Sequence, residues 1–91
     1  MTAALLVQPP GYWRYETSGR LRPAVETLLA GGLLTGAEIV LVREYLARWI
    51  EAPAWHGAEV EILRKSVQTI RTMPELHRWL DHALMAGITP L

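Results

Sequence analysis

Hydrophobic positions recur at helical spacing in four stretches of this chain, and the residues between them read as helix starts and stops. Leu21, Ala24, Val25, Leu28 and Leu29 share one face of a first helix. Ser18 is its candidate cap, Pro23 fits a first turn if the helix starts late, and Gly31-Gly32 end it. Thr35 and Glu38 then form a T-x-x-E capping box, in which each residue satisfies a free backbone N–H at the start of the helix. Behind it Ile39, Val42, Leu46, Trp49 and Ile50 fall on one face, and Pro53 prevents continuation. Val60, Leu63, Val67 and Ile70 alternate by three and four, a narrow seam of coiled-coil type, with Glu61, Arg64, Lys65 and Gln68 facing outward. Thr72 and Glu75 make a second capping box with Pro74 in the first turn. Leu76, Trp79, Leu80, Ala83 and Leu84 turn inward before Gly87 closes that helix.

These patterns predict helices over residues 19–30, 36–51, 58–71 and 73–86. The fold class is all-α: one small four-helix domain, with residues 1–17 as an extended, aromatic N-terminal arm. The apolar tail from Ile88 to Leu91 is expected to fold back on the last helix.

The second helix departs from the ordinary pattern. Val40, Leu41 and Tyr45 widen its apolar stripe past the ~100° that one core-facing side needs. Only Arg43, Glu44, Ala47, Arg48 and Glu51 remain as a solvent strip. Such a helix is packed on two or more sides, by its own chain or by a partner. The partner version points to an interaction protein; the internal version makes this the central helix.

Composition narrows the class. At 91 residues the chain forms one domain with one core, burying roughly 60–65% of its unfolded surface. It contains no cysteine, so it has no disulfide framework, thiolate zinc site or cysteine nucleophile, and it suits a reducing cytoplasm. Nine basic residues balance nine acidic ones, which removes the long-range field that draws proteins to phosphate backbones or anionic lipid. Eight of the nine basic residues are Arg, a bias expected of a GC-rich bacterial or phage genome. The apolar run Ala3–Val7 stops at Pro9-Pro10 without a basic flank. No stretch approaches the ~20 apolar residues of a membrane span. A soluble chain without a membrane partner is expected.

Chemistry finds little purchase. His77 and His82 lie about 140° apart on one helix, at about 100° per residue, and cannot chelate together. His56 is the only further histidine, so no metal site is expected. Ser18 reads as a cap and Ser66 sits in a helix with no base placed near it. Glu59 and Glu61 point to different sides, and Glu59 suits the first turn of a helix. The nucleophile elbow, P-loop and dinucleotide fingerprint are absent. No catalytic residue, metal or cofactor is assigned, and the chain is not expected to be an enzyme.

The aromatic residues suggest binding instead. Four tryptophans stand beside no phenylalanine. Trp49 and Trp79 occupy inward helical positions. Tyr12, Trp13 and Tyr15 on the arm, and Trp55 in the connection after Pro53, are the candidate partner-binding anchors. The expected function is a non-catalytic protein–protein interaction module: a subunit, adaptor or small modulator, of a size suited to a phage or mobile element, binding another protein or its own copy. The alternative is nucleic acid, held by stacking on the arm with Arg14, Arg20 and Arg22 between the rings. Residues 24–48 also have the connection length of a helix-turn-helix. Their second helix, however, would present apolar side chains where base edges need polar ones.

Overall fold

The computed structural model describes residues 12–15, 19–52 and 55–91. Among these it contains four α-helices and no strand: α1 (Leu21–Leu29), α2 (Gly36–Ile50), α3 (Ala58–Ser66) and α4 (Met73–Met85). Two short 3₁₀ turns, Tyr12–Tyr15 and Val67–Thr69, complete the elements. The all-α expectation is met.

Local chemistry sets the boundaries. Thr35 accepts the Glu38 N–H at 3.2 Å while the Thr35 N–H donates to Glu38 at 2.8 Å, so the box closes in both directions. The same reciprocal pair joins Thr72 and Glu75, at 3.4 and 3.0 Å. At the other ends, Gly31 and Gly87 sit at φ +83° and +80°, in the left-handed region that glycine enters without a Cβ penalty. Each belongs to a Schellman motif. Gly31 and Gly32 donate to Leu28 and Thr27, and Gly87 and Ile88 donate to Leu84 and Ala83. The second of these turns the tail back as expected: Ile88 and Pro90 are buried, and the Tyr45 hydroxyl donates to the Pro90 carbonyl at 3.5 Å.

Three expectations about elements need correction. The arm is not extended where it is described, since Tyr12–Tyr15 is a 3₁₀ turn packed on α1. α1 starts at Leu21, with Arg20 preceding it and making no side-chain cap; the cap expected at Ser18 lies outside the described residues, as does Pro53. Pro23 consequently occupies the first turn. The third helix leaves α geometry at Ser66 rather than running to 71. The 3₁₀ turn still keeps the seam intact, because residues three apart eclipse in that geometry and Val67 and Ile70 both stay buried.

The core gathers around α2, which packs against α1, α3, α4 and the second 3₁₀ turn. Ile39, Val42, Tyr45, Leu46, Trp49 and Ile50 are all buried, and Leu41 and Ala47 pack against the core from the edges. The unusual apolar width of this helix is therefore consumed inside the domain. Of the stripe's residues only Val40, at 38%, is exposed to solvent.

Candidate functional site

The sequence-predicted anchors separate into two environments. Trp13 is 2% exposed and belongs to the core cluster; it does not project as an anchor. Arg14 covers its ring, with the guanidinium carbon 4.6 Å from the ring centroid. The side chains of Tyr12 and Tyr15 lie outside the described residues. The three arginines are carried by neighbouring elements, since the first 3₁₀ turn packs on α1. Arg22, however, is paired with Glu26 at 3.3 Å, and Arg20 borders a groove with Pro23, Thr35 and Glu38. The stacking platform that nucleic-acid binding asks of Trp13 is thus turned inward.

Trp55 is placed differently. It is half-buried, and its ring lies 4.7 Å from that of Trp49, tilted by 38°. It borders a shallow groove of about 390 Å³ with His56, Ala58, Val60, Ala86 and Ile88, to which the exposed Glu59 adds a carboxylate. The groove floor is apolar, and its open edges run along Gly57 and Gly87. Gly57 sits at φ +112° and nothing lies within 4 Å of where its Cβ would be, so this edge is bare backbone.

What fixes Trp55 is Arg64, a residue that sequence reasoning set on the outer face of α3. Its side chain is only 19% exposed and turns inward to the end of α2. Nε donates to the Ile50 carbonyl at 2.9 Å, and Nη2 donates to the carbonyls of Ala52 and Trp55 at 3.3 and 2.7 Å. Nη1 pairs with Glu61 at 2.6 Å. One guanidinium so closes the α2 C-terminus, ties the connection to α3 and sets the height of Trp55. No local signal in the sequence could have found it, because its partners lie nine to fourteen residues away. The Trp55 indole N–H is buried and meets no acceptor among the described residues. An unmet buried donor costs about 1–3 kcal/mol.

A second cleft of about 170 Å³ separates the end of α3 from α4, lined by Ser66, Thr69, Ile70, Arg78, Trp79 and His82, with Glu75 at its edge. Its hydroxyls serve the backbone: Ser66 donates to the Leu63 carbonyl at 3.3 Å and Thr69 to that of Ser66 at 2.7 Å. Glu75 is held by the capping box. The Arg71 N–H and the Thr72 side chain lower its pKa below the ordinary glutamate value. Trp79 closes the floor by donating its indole N–H to the Leu63 carbonyl at 3.0 Å. These bonds shape helix ends and bring no nucleophile to a base. Among the described residues no group of three or more His, Asp or Glu side chains is arranged to hold a metal, and no helix is long and apolar enough to cross a membrane.

The groove beside Trp55 is accordingly the candidate site: an aromatic wall, an apolar floor and a backbone edge, held by a half-buried arginine. Comparison with protein-family models, curated proteins and solved structures finds no match to this chain.

Proposed function

We propose that the chain is a non-catalytic interaction module that binds another protein at the groove beside Trp55. The observation that carries this reading is the fixed, half-open position of Trp55. A tryptophan whose ring is backed by Trp49, on backbone held by Arg64, loses little side-chain entropy when a partner covers it, which is the property of an interface anchor. The apolar groove alongside suits an aliphatic or aromatic side chain of the partner. The bare edge at Gly57 lets a partner's main chain approach closely, although the Gly57 carbonyl already accepts the Glu61 N–H at 3.1 Å. The setting that goes with this reading is the cytoplasm of a bacterial or phage host, where a small chain without cysteine works without disulfides.

The test is capture from the native host with the tagged protein, run beside Ala58→Arg. Ala58 is exposed, opens α3 and lines the groove, so an arginine there fills the groove without entering the core. A stoichiometric protein recovered by the parent chain and lost with Ala58→Arg, at unchanged melting temperature, supports the reading. Recovery of the same protein by both moves the site elsewhere. No recovered protein removes it.

A further inference from the structure

α4 carries two apolar stripes that point in different directions. Leu76, Trp79 and Ala83 fill the core. Beside them, at steps of four, three and four, run Met73, His77, Leu80 and Leu84. Met73 and Leu80 are half-buried and rest their inner sides on the core, whereas His77 is exposed and Leu84 is 61% exposed. Leu84 was expected to face inward; it does not, because the buried arc of α4 is used up by Leu76, Trp79 and Ala83. The solvent flank of this row holds Pro74 and Asp81, both exposed, and beyond them Met85 is 85% exposed. A helix that served only its own core would carry polar residues at 84 and 85. The four-three-four spacing is that of a coiled-coil seam with one polar residue in it.

We propose that this seam is the contact of a homodimer, with α4 packed antiparallel on α4 of a second copy about a two-fold axis. The argument is self-complementarity, which an isologous contact requires. An axis midway between His77 and Leu80 sets Met73 against Leu84 of the second copy and His77 against Leu80. The same operation carries Asp81 of each copy beside His77 of the other, so an imidazole N–H meets a carboxylate on both sides of the axis. Parallel packing would instead set His77 on His77 and carry the two Asp81 side chains to opposite flanks, leaving the imidazoles without a carboxylate across the seam. A single polar position in an apolar seam selects one register over its neighbours. The seam is distinct from the Trp55 groove: Ala86, which lines that groove, lies about 200° round the helix from Leu84. The proposal therefore stands or falls independently of the proposed function.

The contact is small. Thirteen residues of helix span about 20 Å, and one such helix pair buries less than the ~1,200 Å² typical of stable complexes. The dimer is a weak one.

Sedimentation of the whole chain from ~10 µM to ~1 mM, the range in which so small a contact dissociates, provides the test. The mass is expected to rise from 10.2 kDa toward twice that value. Leu84→Arg is expected to weaken association at least about tenfold without moving the melting temperature of the dilute protein. His77→Asp places acid beside acid and is expected to weaken it too, while the double variant His77→Asp with Asp81→His reverses the pair and restores association. A monomer mass across the whole range overturns the proposal. So does association that Leu84→Arg leaves unchanged, or a double variant no stronger than His77→Asp alone.

Discussion

α2 and α4 begin alike and end in opposite circumstances. Both open on a Thr-x-x-Glu capping box closed in both directions, and both are long enough for three to four turns. Yet α2 is wrapped by α1, α3, α4 and a 3₁₀ turn, and buries six large side chains. α4 leans chiefly on α2 and α3, and buries Leu76, Trp79 and Ala83. The difference shows what the width of an apolar stripe measures. It counts neighbours, and in a four-helix chain the helix with the widest stripe is the central one. Apolar residues that overhang a narrow stripe carry different information, because no element of the described chain covers them.

The sharpest way to break this contrast is to truncate one large side chain from each helix. Trp49 is fully buried beside Trp55 and Leu84 is open to solvent. Trp49→Ala is expected to cost about 3–5 kcal/mol, the range for removing a buried aromatic side chain. Against a total stability of about 5–15 kcal/mol, that leaves much of the protein unfolded at moderate urea. Leu84→Ala is expected to stay within about 0.5 kcal/mol of the parent. Urea unfolding at a dilute, monomeric concentration gives both numbers. If the two substitutions cost the same, α4 has no outward row and the contrast between the helices is lost.

The parts of this fold that were legible in the sequence are those decided within four residues. Thr35 with Glu38, Thr72 with Glu75, and the glycines at 31 and 87 each act on their own turn of backbone, so their types and spacing suffice. The inward positions of Trp49 and Trp79 follow from periodicity in the same way. Trp13, Leu84 and Arg64 could not be placed by such reasoning. Whether Trp13 projects depends on what α1 sets beneath the preceding turn, and Leu84 is exposed because no described element packs on that flank of α4. Arg64 sits where a helix period would put a solvated residue, but the α2 end and its connection pass close enough to take three of its five donors. Of the four aromatic anchors named from sequence, only Trp55 has a described side chain with an open face.

Arg64 provides the next test, because it connects the buried helix to the candidate site. Arg64→Ala removes three bonds from a charged donor to backbone carbonyls and is expected to cost about 2–3 kcal/mol, since hydrogen bonds to charged groups contribute about 1.5–3 kcal/mol and the freed carbonyls regain water. Arg64→Lys keeps the charge but not the planar fork, and is expected to recover only a minor part. Hydrogen exchange should show the loss concentrated at residues 51–57 and the start of α3, with the centre of α2 retaining most of its protection. Uniform loss throughout the chain would mean that Arg64 supports the whole core rather than the Trp55 corner.

The smallest expected effect separates the two capping boxes from everything that packs on them. Glu75 is held below the ordinary glutamate value of 4.5 by the Arg71 N–H first, then by the Thr72 side chain. A carboxyl group with a lowered folded-state pKa stabilises the fold above its unfolded value, and that contribution is lost as pH falls through the folded one. Stability measured from pH 7 downward should therefore show an acid limb below about pH 4.5 to which Glu75 contributes. Glu75→Gln preserves the reciprocal geometry, since a glutamine side chain also accepts the N-cap N–H, but removes the titrating group. Its stability should be slightly lower than the parent's at neutral pH, with the gap closing as the parent's carboxylate is protonated. A gap that stays constant down to pH 2 would show that the geometry of the capping bonds, and not the charge on the carboxylate, is what Glu75 contributes to α4.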